Sequence, residues 1–421
     1  MKLTDDDKRK LEGEYGTVIA HAMRFLADLG EAFDAEEMID LDFAHVYTIE
    51  DYRIPGHDKT LLAEALEENV KCVIPATAWI SGFEMDENIY RKISIDDEKR
   101  EKIQARIEVS RRLGITCINT CAPYIMCDQS TPSFGAHIAS IESSAVSYFN
   151  SALGIRCNRD GISALFGAFT GRYPNFGMHL DENRKGRHLF KIEAELKNTA
   201  DYSAAGYHIG EICGLDVPVV ANMPRPSTEE MQGFCSALAV SGAVSLAHIV
   251  GVTPEAPTEQ AAFQGGKPER TYHITNNDLD SVYEKYNSPS DKVDFICLGC
   301  PHMSIHDIRK YSELLKGKKV RSNVTVWLMS SVQNIYLAKQ EGYIDILEQA
   351  GVTVLTTCPI NNPGIPGPNH TSINKDYSIG NFATNSMKLL YYSRNSFRPK
   401  KTFFGSTEQC IQAAVSGTWE C

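Results

Sequence analysis

Three cysteines share one sequence context. Cys121 follows ITCINT, Cys300 follows VDFICLG and Cys358 follows VTVLTT. Each apolar run reads as a short strand, and each cysteine opens the loop after it. Pro301 and Pro359 stand directly after Cys300 and Cys358. Proline removes an amide donor and stops a strand, which leaves the sulfur at the strand end. Three thiolates converging from separate strand ends suit an iron–sulfur cluster with one iron left open. Such an iron is a Lewis acid that holds a hydroxyl and a carboxylate and assists loss of water. Two other readings stay open on spacing alone. The three residues could be ordinary buried thiols, which behave as small hydrophobes. Alternatively Cys117, Cys121, Cys297 and Cys300 could form a four-thiolate zinc site, although a strand position for Cys297 argues against a zinc knuckle.

Around Cys121 the stretch Thr120–His188 concentrates further reactive groups among Ala, Gly and Ser. Small residues let backbone approach backbone or a ligand closely, and polar groups packed among them need partners or a substrate. Glu142, Ser143 and Ser144 either orient a substrate or cap the helix that follows. Arg156, Asn158 and Arg159 sit at an expected turn between helices, where a guanidinium fork matches a carboxylate; solvated or structurally paired arginines are the alternative. Asn385, Ser386 and Lys388 form a second polar turn able to hold an anion through backbone amides, which a plain helix cap explains equally well. His179, His208 and His302 read more readily as core or cap residues than as bases.

The elements that must position these groups follow an α/β pattern. Thr4 before three aspartates is a helix start, and Leu11, Tyr15, Ile19, Met23 and Leu26 give a helical stripe closed by Gly30. Strands are expected at 38–47, 70–75, 115–119 and 189–195. Helices are expected at 97–112, 143–153, 161–170 and 200–213, and 251–270 reads as a linker or surface excursion. After it strands and helices alternate cleanly to Cys358, a doubly wound unit in which sites gather at the carboxyl ends of strands. Residues 361–370, rich in Pro and Gly, form a loop.

Bulk properties exclude several classes. The 421 residues carry a net charge of −12, which argues against nucleic acid as main partner, since phosphate backbones recruit basic faces. No apolar run approaches the roughly 18 residues of a membrane span. The charged start MKLTDDDKRK lacks the apolar core of a signal peptide. A cytoplasmic protein is expected, with its twelve cysteines reduced.

Taken together, LEGEYGTVIAHAM, TCAPY, ESSAVSYFNSALGIRCNRDG, YPNFGMHLDENRKG, ADYSAAGYHIG, LGCPHMSI, the TTC turn and TNSMK resemble the large subunit of the aconitase X family over nearly the whole chain. The resemblance implies an aconitase-like multi-domain α/β body, with parallel or mixed sheets flanked by helices. Residues 1–290 would form the body carrying Cys121 and the substrate block, 291–400 a doubly wound domain carrying Cys300 and Cys358, and 401–421 a tail. It implies that these three cysteines hold an iron–sulfur cluster ([4Fe-4S], [3Fe-4S] or [2Fe-2S]) or mononuclear iron. It implies a partner small subunit, resembling aconitase's swivelling domain, that supplies a catalytic serine; nothing after Lys401 is long enough to be that domain. Glu142, Ser143, Ser144, Asn158 and Arg159 would be catalytic, and Arg156, His179, Asn385, Ser386 and Lys388 would bind substrate. The implied activity is dehydration of a small hydroxycarboxylate: cis-3-hydroxy-L-proline first, mevalonate 5-phosphate as the alternative, with a catalytically silent structural or redox-sensing member as a reading of another class. Departures from the family pattern fall at Ala122, Cys157, Asp160, Ile162, Val332 and Met387, and the segment after Cys358 is longer than usual. They bear on the substrate pocket and leave the three cysteines in place.

Overall fold

A computed structural model describes residues 1–47, 51–80, 84, 87–93, 95–125, 132–287, 291–358, 380–396 and 398–420. The Pro- and Gly-rich stretch 361–370 lies outside them. Three parallel sheets, each flanked by helices, follow one another along the chain.

The first sheet orders its five strands Ile115–Cys117, Ala76–Ala78, Phe43–Val46, His137–Ser140 and Arg156–Arg159, all parallel. The expected strand at 38–47 divides. Met38–Asp40 pairs antiparallel with Arg172–Pro174 and Phe43–Val46 enters the sheet. The strand expected at 70–75 begins only after Pro75, as Ala76–Ala78, because proline has no amide for the ladder. The N-terminal stripe also divides. Helix Asp5–Leu11 opens with a capping box of Thr4 and Asp7, and Thr17–Ala32 runs on through Gly30. Helices Asp97–Arg112 and Ser143–Leu153 stand where the sequence puts them.

The second sheet is smaller, in the order His248–Ile249, Pro218–Ala221, His188–Ile192, Arg270–Ile274. Its helices Thr199–Cys213 and Thr228–Ser241 pack so closely that a Cβ on Gly206 would lie 2.4 Å from the Phe234 carbonyl oxygen, so only glycine fits there. The expected linker at 251–270 connects two strands of this sheet and carries a short helix, Glu259–Ala262.

The third sheet runs Thr353–Leu355, Thr325–Ser330, Phe295–Met303, Asn381–Thr384, Lys401–Phe404, again all parallel. One face of it packs into an apolar core of its own, while its other face joins the core that the first two sheets share, through Phe295, Trp327, Met329 and Phe382. Residues set apart above as a tail are built into it: Lys401–Phe404 is its edge strand, Thr407–Ser416 a covering helix, and Thr418–Trp419 pairs with Asp291–Lys292. Trp419 is fully buried, which no loose tail would allow.

Candidate active site

Cys121, Cys300 and Cys358 line one cavity of about 190 Å³ together with Trp79, Ile141, Glu142, Ser143, Arg159, Lys388 and Tyr392. The sulfurs arrive from two sheets. Cys121 stands beyond strand Ile115–Cys117, which pairs with Ala76–Ala78. Cys358 follows strand Thr353–Leu355. Cys300 lies inside Phe295–Met303, where the sequence pattern predicted a loop. The ladder to Thr325–Ser330 is regular to Leu298 and resumes at Met303 with a register shift. Gly299 makes that irregularity: its φ is +96° and a Cβ would sit 2.3 Å from the Met329 carbonyl oxygen. A bulge re-aims the side chain that follows it.

All three sulfurs are buried. Burial pushes the Cys121 and Cys300 thiols up to about 12; the neighbouring carboxylate and thiols add to this and Lys388 opposes it. The His302 backbone N–H points at Cys121 Sγ at 3.4 Å. Three buried sulfur donors beside a cation, with a polar cavity in front, fit a metal centre: a bound metal deprotonates its thiols and relieves the cost of their burial. Among the described residues no three His, Cys, Asp or Glu groups close tightly enough to hold a single ion. The same described residues give no support to a four-sulfur zinc site, since Cys297 Sγ contacts Met329 Sδ at 3.8 Å inside the ladder and Cys117 remains half-buried in its own strand.

Next to the sulfurs sits a buried ion pair. Lys388, in the first turn of helix Met387–Ser396, bonds Glu142 and donates to Ser144 Oγ at 2.8 Å. Ser144 Oγ donates to Glu142 Oε1 at 2.9 Å. Glu142 also caps helix Ser143–Leu153, which is one of the two roles expected of it. Burial opposes both charges. Lys388 outweighs it for Glu142, whose pKa is lowered, and Glu142 with the thiols does so for Lys388, whose pKa is raised. Arg159 is exposed on the rim. His302 and His45, both buried beside this pair, are driven down to about 4 by burial and are neutral.

Other sequence candidates lie elsewhere. Arg156 pairs with Asp181 and donates to the His179 carbonyl at 2.8 Å. His179 Nδ1 meets His137 Nδ1 at 2.9 Å in the interior. Asn158 ties the 176–178 turn through Phe176 and Met178. Asn385 bonds Tyr311 and Thr407, and with Ser386 it lines a separate void of about 40 Å³ on another side of Cys300. None of these five lines the sulfur-bearing cavity. Trp79, Ile141 and Tyr392 do, and sequence reasoning missed them. Among the described residues Trp79 Nε1 is buried without a hydrogen-bond partner, an unspent donor that nothing in the local sequence announces.

Parallel α/β units that bring cysteines from separate strand ends to one charged cavity have the body plan of the aconitase-type hydro-lyases, and the chain is one of them. Models of the aconitase X first, second and third domains match residues 1–182, 186–284 and 293–416, and the chain belongs to the aconitase X family. It is 32% identical to the phosphomevalonate dehydratase large subunit of Methanocaldococcus jannaschii, over 98% of this chain and 100% of that one. It is 30% identical to the cis-3-hydroxy-L-proline dehydratase of Hypocrea jecorina, over 100% of this chain and 70% of that protein. The crystal structure of Thermococcus kodakaraensis aconitase X in its holo-form superposes with a TM-score of 0.81 at 32% identity, covering 98% of this chain and 100% of the other. Among the described residues no helix is long and apolar enough to cross a membrane.

Proposed function

We propose that the chain is the large subunit of an iron-dependent dehydratase of a small hydroxylated carboxylate, with cis-3-hydroxy-L-proline as substrate. The observation that carries this is the cavity lined by Cys121, Cys300 and Cys358 with Glu142, Lys388 and Arg159. Iron held by the three sulfurs, in a cluster or a smaller centre, supplies Lewis acidity toward the leaving hydroxyl. The remaining roles fall to this chain's own groups. Arg159 offers a two-pronged donor for the carboxylate. The Lys388–Glu142 pair presents a fixed, desolvated charge at the point where hydroxide character develops. Trp79 supplies a further donor, and Ile141 and Tyr392 keep bulk water from the reacting carbons. The proton on the carbon beside the carboxylate leaves to a base outside this chain, a serine of a small-subunit partner. The relatives named as large subunits support such a partner.

A second reading, mevalonate 5-phosphate, is favoured by the relatives of that name, which the chain matches end to end. Against it, among the described residues the cavity's two cations are Arg159 and a Lys388 already neutralised by Glu142, a small complement for a phosphate plus a carboxylate. Anaerobic reconstitution with iron, sulfide and the partner chain, followed by steady-state assay on both compounds, decides. Turnover of the hydroxyproline alone is expected. Turnover of the phosphate ester alone transfers the assignment to the second reading, and iron-loaded protein inert on both overturns the catalytic reading. Serine substitution at Cys121, Cys300 or Cys358 is expected to abolish iron content and visible colour in each case, and retained iron in all three contradicts the ligand assignment.

A further inference from the structure

Glu84 is buried, at 4% exposure, on the segment that leaves strand Ala76–Ala78. A carboxylate pays heavily for leaving water unless hydrogen bonds replace its hydration. Glu84 finds them 272 residues away, on the turn that presents Cys358. Its Oε1 and Oε2 accept the Thr356 N–H at 3.1 and 3.0 Å, and its Oε1 accepts the Thr357 N–H at 2.8 Å. Two consecutive amides pinned by one carboxylate leave little freedom in the turn, and the next residue is Cys358.

The other end of this contact is anchored beside Cys121. The strand before Glu84 pairs with the strand before Cys121, Ala78 facing Cys117. Past that pair the two exits stay laced: the Ile80 N–H donates to Asn119 Oδ1 at 3.0 Å and the Ile118 N–H to the Ala78 carbonyl at 3.0 Å. Glu84's own N–H donates to the Tyr90 hydroxyl at 3.0 Å. Asn119 is two residues from Cys121, and Thr357 is one residue from Cys358. The contact therefore links the segment that leaves the strand beside Cys121 to the turn before Cys358 through the protein's own hydrogen bonds. Groups one step behind a ligand orient it, and losing one typically costs 10–100-fold in metal affinity.

We infer that Glu84 is a positioning residue for the metal centre, clamping the Thr356–Thr357 turn so that Cys358 is held in register with Cys121 across the junction of the first and third sheets. This rests on the reading of Cys121, Cys300 and Cys358 as the ligands. It concerns no step of the reaction and touches no substrate.

The test uses the full chain, reconstituted anaerobically with iron and sulfide, in wild-type, Glu84→Ala, Glu84→Gln and Cys358→Ser forms. Iron release into excess chelator is followed by the decay of visible absorbance. Circular dichroism and the thermal midpoint of the metal-free proteins report folding. Glu84→Ala is expected to release iron roughly tenfold faster or more. Glu84→Gln, which keeps one acceptor oxygen, is expected to fall between it and wild type. Wild-type release from both Glu84 variants, with iron lost in Cys358→Ser, overturns the clamp while leaving the ligand set intact. Iron fully retained by Cys358→Ser removes the ligand reading itself. If Glu84→Ala does not fold, Glu84→Gln decides alone: faster release supports the clamp and unchanged release overturns it.

Discussion

Two buried ion pairs, one beside the cavity and one in the scaffold, differ in what surrounds them. Arg184 lies 1% exposed where the first two sheets meet. Its Nε and Nη2 bond Glu255, and its Nη1 bonds Asn150 Oδ1 at 2.7 Å and the Met178 carbonyl at 3.0 Å. It joins the 177–184 turns to the segment after His248–Ile249 and has little left to offer a ligand. Lys388 is also buried, but it spends its donors on Glu142 and Ser144 and opens onto a cavity beside thiols. Burial alone therefore does not mark a functional charge. What sets Lys388 apart from Arg184 is the open volume beside it.

Substitutions can break that contrast. The largest effect is expected at Arg184. Arg184→Met leaves Glu255 and Asn150 without their partner and should cost about 3–5 kcal/mol of folding stability, read from denaturant midpoints, with iron per folded chain unchanged. Lys388→Met should do the reverse. We expect kcat/KM of the reconstituted enzyme to fall by roughly 10²–10³-fold, with a smaller loss of stability than at Arg184. Equal stability losses at the two sites would erase the distinction. Ser144→Ala removes one acceptor from Lys388 and should cost about 1 kcal/mol, near a fivefold drop in kcat/KM. A third buried pair, Asp7 with Arg172, gives the smallest effect. Burial raises the Asp7 pKa, but the Thr4 amide and Arg172 outweigh it, so it lies below the ordinary 3.8. A depressed carboxylate contributes stability that is complete above its unfolded value and is lost as pH falls through the folded one. Asp7→Asn should therefore flatten the stability curve below about pH 4 and leave its shape near neutrality unchanged, as acid titration of the unfolding midpoint would show.

Much of the fold was legible because local signals agreed. Helices Asp97–Arg112 and Ser143–Leu153 carry their own caps and stripes, and the alternation from Phe295 to Leu355 is periodic enough to read directly. Where the reading slipped, a tertiary or stereochemical constraint had won. Pro75 delayed a strand, and Lys401–Trp419, short and polar at its start, became sheet edge and covering helix because Trp419 and Phe403 bury against the third core. The site was half legible. Glu142, Ser143, Ser144, Arg159 and Lys388 stand at or beside the sulfurs, whereas Arg156, Asn158 and His179 serve a turn. The distinction between Arg156 and Arg159 is one of strand alternation and of Asp181 lying within reach of the former, and no one-dimensional pattern carries it. Trp79 was invisible for the opposite reason: an aromatic at a strand end looks like core until its N–H is found without a partner among the described residues.

The placement of Trp419 has a consequence in time. Chains emerge from the ribosome N-terminus first, and domains fold as units as they appear. The sheet bearing Cys121 has all its strands by Arg159, whereas the sheet bearing Cys300 and Cys358 still awaits its edge strand Lys401–Phe404 and the Thr418–Trp419 clasp on Asp291–Lys292. The residues that line the cavity from the first sheet are thus translated well before the strand and the clasp that complete the third.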